Sequence, residues 1–248
     1  MDPYEHRAFN EMRHWQQEMQ KRPSFTRSLS KKIQDKMNSY IPDKIHRAVT
    51  VAIQKMIETV LFGARLVSAK PLKGESLIYR EAYVREKIDF YTKTAVTEGA
   101  ITGAGGILLG LADFPLLLTL KMKMLYDIAA LYGCNIEDYR ERIYFLYIFQ
   151  LAFSSQKSRN ETYKKLENWH NYSETLPENI REFDWKVFQQ EYRDYIDLAK
   201  LAQLIPVIGA AVGAVANYQL IRKLGDTAKN AYRMRYFNTT GSFTKLIP

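Results

Sequence analysis

Gly99 to Ala112 reads GAITGAGGILLGLA, 14 residues without a charged side chain. Asp113-Phe114-Pro115 follows it, and Leu116 to Leu120 carries the apolar run on to Lys121. Proline disfavours helical geometry in the residue before it, and Asp can cap a helix that has Pro in its first turn. The stretch therefore predicts a helix, a sharp turn with Asp113 as cap, and a second helix opened by Pro115. A related tract, Leu201 to Ile221, reads LIPVIGAAVGAVA at its centre and holds 21 uncharged residues between Lys200 and Arg222-Lys223.

Small residues recur four apart in both tracts, as Gly99 and Gly103, Gly106 and Gly110, and Gly209 and Gly213. That spacing leaves a shallow groove on a helix where another backbone can approach closely. Glycine in a helix interior costs about 1 kcal/mol relative to alanine, so placing seven of the 12 glycines here asks for a packing reason. With Asp113, Pro115 and Pro206, these glycines form a candidate helix-packing or membrane-inserting set. A bilayer span needs about 20 predominantly apolar residues. The first tract is broken by an Asp that would cost at least about 2.5 kcal/mol at mid-membrane. The second narrows to 13 strictly apolar residues, Leu204 to Ala216. Neither is read as a conventional span.

Outward from these tracts, helical periodicity continues and alternating strands do not occur. The fold class expected is all-α: a multi-helix bundle with two glycine-rich apolar helical hairpins or segments packed together. Pro3 stands in the first turn of a helix reaching about Gln20, and Lys21-Arg22-Pro23 interrupts it. Phe25, Leu29, Ile33 and Met37 then recur every four residues opposite Arg27, Lys31, Lys32 and Lys36. After Pro42 a longer helix aligns Ile45, Val49, Ile53, Met56, Ile57, Val60 and Leu61. Lys70 to Gly74 is the clearest linker; Ser154 to Arg159 and Ser173 to Glu178 are shorter breaks. Residues 1–70 thus read as basic amphipathic helices, 71–238 as a helical core and 239–248 as a tail, within one cooperative domain.

The chain has 248 residues and a net charge of +9. Lys21 to Lys73 contains 12 basic and 3 acidic residues, and Arg222 to Pro248 contains 6 and 1. Such segregation suits an anionic partner. Cys134 is the only cysteine, so an internal disulfide is excluded and the cell interior is the expected compartment. The polar start MDPYEHRAFNEMRHW does not read as a secretory signal.

Motifs for chemistry fail on inspection. Gly105 to Gly110 is followed by Leu111-Ala112 where a P-loop needs Lys, and Leu108 occupies the third glycine position of a dinucleotide fingerprint. His6, His14, His46 and His170 lie singly without ligand spacing, and no G-x-S-x-G elbow occurs. Glu137, Asp138 and Glu141 fit the first turn of an aromatic helix with Asn135 as its cap. Asp113 is read as a cap, with a desolvated functional carboxyl as the alternative. Tyr144, Phe145, Tyr147, Phe149 and Phe153 read as packing. No catalytic set, metal site or cofactor is expected.

The stretches TEGAITGAGGILLGLADFPLLLTLKMKMLYDIAALYG (97–133) and LIPVIGAAVGAVANYQLIRKLGDTAKNAYRMR (204–235) closely resemble the two signature stretches of the EcsC family of bacteria. Weaker features extend the resemblance from about Ala69 to Asn238. It implies an intracellular protein encoded beside an ABC transporter ATPase and its permease, with an accessory role in secretion and envelope physiology and without an established catalytic activity. Two readings stay open. In one, a peripheral protein on the inner membrane face meets anionic headgroups or a permease through Arg27, Lys31, Lys32, Lys36, Lys44 and Arg47, with apolar side chains entering the interface. In the other, a soluble bundle binds a hydrophobic ligand or an acidic protein. No recognition motif accompanies the basic segments, so a specific nucleic-acid partner is not expected.

Overall fold

Asp2 opens the first helix, α1 (Pro3–Gln20): its carboxylate accepts from Glu5 N at 2.8 Å, while Glu5 Oε2 accepts from Asp2 N at 3.2 Å. This reciprocal pair satisfies two amides that would otherwise lack acceptors, and Pro3 has no amide to satisfy. The computed structural model describes residues 1–21, 43–62, 70–104, 106–154, 156–188, 190 and 210–239. The basic amphipathic helix expected after Ser24 lies outside them.

Helix α2 (Asp43–Phe62) buries Ile53, Met56, Ile57, Val60 and Leu61, the later part of the apolar stripe read from the sequence, against the two helices that follow the first long hairpin arm. Lys70 to Ser76 is irregular, with Gly74 at φ 79°, and is pinned where Leu72 N donates to Ala130 O at 2.8 Å. The long helices α3 (Leu77–Ala104) and α4 (Gly106–Leu131) come next. Helix α4 ends at Gly133, whose φ of 85° lies in the left-handed region and where a Cβ would stand 2.7 Å from Leu72 O. Backbone conformation and close approach both demand glycine there.

Helix α5 (Tyr139–Phe153) buries all of its residues but Arg140 and Glu141. Its cap is Asp138, which accepts from Arg140 N at 2.9 Å, and not Asn135, which accepts from Glu137 N one turn earlier. The linker adds its own turn before the helix, and Asn135 serves that turn instead. Helices α6 (Gln156–Glu167) and α7 (Trp169–Glu174) and a 3₁₀ turn at Ile180–Glu182 cover one side. Helix α8 (Ala210–Thr239) packs along α3, the most extensive helix contact among the described residues. Gly225 allows it, since a Cβ there would stand 2.8 Å from Ile88 Cγ1. The architecture is an all-α multi-helix bundle, without a strand among the described residues.

The hairpin turn expected at Asp113 to Pro115 is not formed there. α4 runs unbroken through both residues, so Asp113 is a helix-interior residue and not a cap. A mid-helix proline costs about 3 kcal/mol. The burial of Phe114, Leu117 and Leu118 on that same turn outweighs this, because each fully buried large apolar side chain contributes about 1.5–3 kcal/mol. Thr119 Oγ1 donates to Pro115 O at 2.9 Å within the proline turn.

Candidate functional site

Helix directions decide where the sequence-predicted residues fall. Along α3, Glu81 meets Arg233, Ile88 meets Gly225 and Asp89 pairs with Arg222, so α8 runs antiparallel to α3. Glu81 meets Tyr132 and Tyr91 meets Asp127, so α4 also runs antiparallel to α3. The C-terminal end of α3, with Gly99 and Gly103, therefore lies at the same end of the bundle as the N-terminal ends of α4 and α8. Those ends carry Gly106, Gly110, Asp113 and Pro115 on α4, and Gly213 on α8. Pro206, Gly209, Arg27, Lys31, Lys32 and Lys36 lie outside the described residues. Lys44 and Arg47 are in the first turns of α2, Arg47 exposed.

At this end Leu116 and Val215 are each 56% exposed and Tyr218 48% exposed. No helix among the described residues is long and apolar enough to cross a membrane. The described residues also contain no group of His, Cys, Asp and Glu able to hold a metal ion.

Most of the basic C-terminal segment is not a free surface. Arg222 pairs with Asp89, Lys229 with Asp226 at 3.4 Å, Arg233 with Glu81 and Glu11, and Arg235 with Glu141 at 2.6 Å. Arg233 and Arg235 are matched within the fold and Arg222 and Lys229 pair at its surface, so much of the positive charge of this segment already has acidic partners.

The strongest electrostatic feature was not found from the sequence. Glu81, fully buried, receives Arg233 Nε and Nη2 at 2.6 Å each, the Tyr132 hydroxyl at 3.0 Å and the Tyr4 hydroxyl at 2.7 Å. Arg233 Nη1 adds Glu11 at 2.8 Å, and Arg85 donates to the Tyr4 oxygen at 2.8 Å. Burial alone would raise the Glu81 carboxyl, but the hydrogen bonds and charge of Arg233, with the two tyrosines, hold it below the ordinary carboxylate range. A carboxylate already accepting four hydrogen bonds has little capacity left to take a substrate proton, so the cluster works as a clasp joining α1, α3, α4 and α8. The available sequence signal was Glu81 itself, a charge inside the stripe Leu77, Val84, Ile88, Tyr91 and Ala95.

A second pair lies beside it. Arg235 grips both oxygens of Glu141 and stacks 4.5 Å above the Tyr144 ring. Nearby, burial first and the Glu141 charge second push the Cys134 thiol up to about 12, the opposite of what a reactive thiolate needs. Asn217 on α8 is fully buried, and neither polar atom of its amide has a hydrogen-bond partner among the described residues.

The fold is thus a helical bundle clasped by buried ion pairs at one end and free of charge in its glycine-rich tracts at the other. The chain belongs to the EcsC protein family, whose model matches residues 6–237 and so includes α1. It is 44% identical to Protein EcsC of Bacillus subtilis (strain 168), over 91% of this chain and 93% of that protein. It is also 30% identical to the uncharacterized protein YdbA of the same organism, over 58% of this chain and 53% of that protein. No solved structure matches the chain.

Proposed function

We propose that this protein is a non-enzymatic accessory protein on the inner face of the membrane, working beside an ABC transporter in secretion and envelope physiology. The observation that carries this reading is the convergence of the glycine-rich tracts of α3, α4 and α8 at one end of the bundle, bordered by exposed Leu116, Val215 and Tyr218. Exposed apolar side chains gathered at one end of a bundle suit an interaction site. The ion pairs of Arg222, Lys229, Arg233 and Arg235 leave the excess positive charge chiefly in Lys21 to Lys73, where Arg27, Lys31, Lys32, Lys36, Lys44 and Arg47 would meet anionic headgroups. The transporter association rests on the family resemblance.

Fractionation of cells tests this reading. The protein should sediment with membranes in low salt and be released by alkaline carbonate. Lys31→Glu/Lys32→Glu/Lys36→Glu should shift it toward the soluble fraction. Complete recovery of the unaltered protein in the soluble fraction would overturn the proposal.

A further inference from the structure

The end of the bundle that carries the glycine-rich tracts has a cationic collar. Lys93 on α3 and Lys123 on α4 are exposed. The register brings them to similar heights, since Tyr91, two residues before Lys93, meets Asp127, one turn from Lys123. Acids at this height are already matched, Asp89 by Arg222 and Asp127 by Lys87 and Tyr91. Among the described residues, Lys93 and Lys123 have no carboxylate within ion-pair distance.

Beyond the collar the threonine hydroxyls turn back onto their own helices. Thr94, Thr97 and Thr119 donate their hydroxyls to the carbonyls of Phe90, Lys93 and Pro115, four residues back, at 2.9 to 3.0 Å. Those donors are satisfied without water. From Gly99 to Ala104 helix α3 advances about 8 Å without a charge, and Lys93 stands about 9 Å behind Gly99. Apolar side chains such as Leu116 and Val215 lying ahead of exposed lysines suit a protein whose apolar part enters the boundary between headgroups and acyl chains while its cations meet the headgroups.

We infer that the α3, α4 and α8 end of the bundle inserts tip-first into a bilayer surface, with Lys93 and Lys123 as a collar that binds anionic phospholipid headgroups. This rests on the membrane-surface reading above but assigns the contact to a different part of the molecule from the basic helices near the N-terminus. Complementary charge selects an anionic bilayer as occupant, over a neutral one or a second copy of the chain.

The full chain, with Leu116→Trp as a reporter, is mixed with vesicles of phosphatidylcholine alone or with phosphatidylserine added. Measured as the difference from the unaltered chain, the emission of the introduced indole should move to the blue and be quenched by brominated acyl chains only when anionic lipid is present. Each lysine near an anionic surface contributes about fivefold to partitioning, so Lys93→Ala/Lys123→Ala should weaken binding about 25-fold. Val215→Glu should abolish the blue shift. All these positions are exposed, and an unchanged thermal melt will show that the variants fold. Flotation that persists in these variants, with a silent reporter and sensitivity only to Lys31→Glu/Lys32→Glu/Lys36→Glu, would overturn the collar and leave the membrane-surface reading standing. Absence of flotation by the unaltered chain would remove both. Concentration-dependent self-association abolished by Val215→Glu, without any lipid response, would overturn the collar in favour of a second copy.

Discussion

Arg233 lies edge-on against Glu81, with Nε and Nη2 each 2.6 Å from a different carboxylate oxygen. This bidentate contact crosses the α3–α8 interface, and the hydroxyls of Tyr4 and Tyr132 occupy the remaining lone pairs. Removing one member leaves a buried charge without compensation, which costs about 3–5 kcal/mol. Arg233→Met is therefore expected to lower urea-denaturation stability by that amount. Replacing both partners, as in Glu81→Leu/Arg233→Met, should recover much of the loss, because desolvation of the pair then disappears as well. A double variant no more stable than Arg233→Met would show that the clasp acts by something other than charge compensation.

Acid should loosen the same contact. The Glu81 carboxyl is held below its ordinary value in the folded protein. Its contribution is therefore complete above the unfolded carboxyl pKa of about 4.3 and is lost as pH falls through the lower folded value. The melting temperature should be insensitive to this group from neutrality down to about pH 5 and then decline. The decline should be shallower in Glu81→Gln, measured against the unaltered chain at matched ionic strength. Equal slopes in the two proteins would place the acid sensitivity at other carboxylates.

For Asn217 the expected sign is the opposite. A buried amide without partners carries a desolvation penalty of about 1–3 kcal/mol, and leucine occupies nearly the same volume. Asn217→Leu should raise the melting temperature, by several degrees for a chain of this size. Destabilisation would mean that the amide finds partners in solution. If the variant is more stable but binds vesicles less well, the orphan amide serves binding at the expense of stability.

Cys134 should be inert in the native protein. With burial and Glu141 raising its thiol to about 12, almost no thiolate exists near neutrality. Alkylation by iodoacetamide should be more than about tenfold slower than in urea, where the thiol returns to about 8.5. Because the folded value is the higher one, the contribution of this group to stability is intact below the unfolded value and is lost as pH rises toward the folded one. Labelling at the same rate in native and unfolded states would refute the burial of the thiol.

The readable parts of the fold are those determined locally. Asp2, Pro3 and Glu5 set the start of α1 through contacts three residues apart, and the apolar period of α2 needs nothing beyond its own helix. The turn expected near Pro115 is absent because local geometry says that proline ends a helix, whereas Phe114 and Leu118, buried between helices, hold it straight. Glu81 stands out as a charge in an apolar stripe. Its partner is 152 residues away, and no spacing rule connects them. Arg233 and Arg235 look like surface cations for the same reason, since only the packing of α8 onto α3 and α5 reveals the acids they neutralise.

The separation of Glu81 from Arg233 also constrains how the chain is made. At about 5–20 residues per second, a ribosome needs roughly 8 to 30 s to pass from one to the other. Throughout that interval the α3 and α4 hairpin is without its counter-ion, and its greasy tip has no α8 to lean against. The bundle therefore closes only after Arg233 has been made. A nascent chain stalled before residue 210 should be protease-sensitive and dependent on chaperone binding, or on the lipid surface itself, to stay out of aggregates.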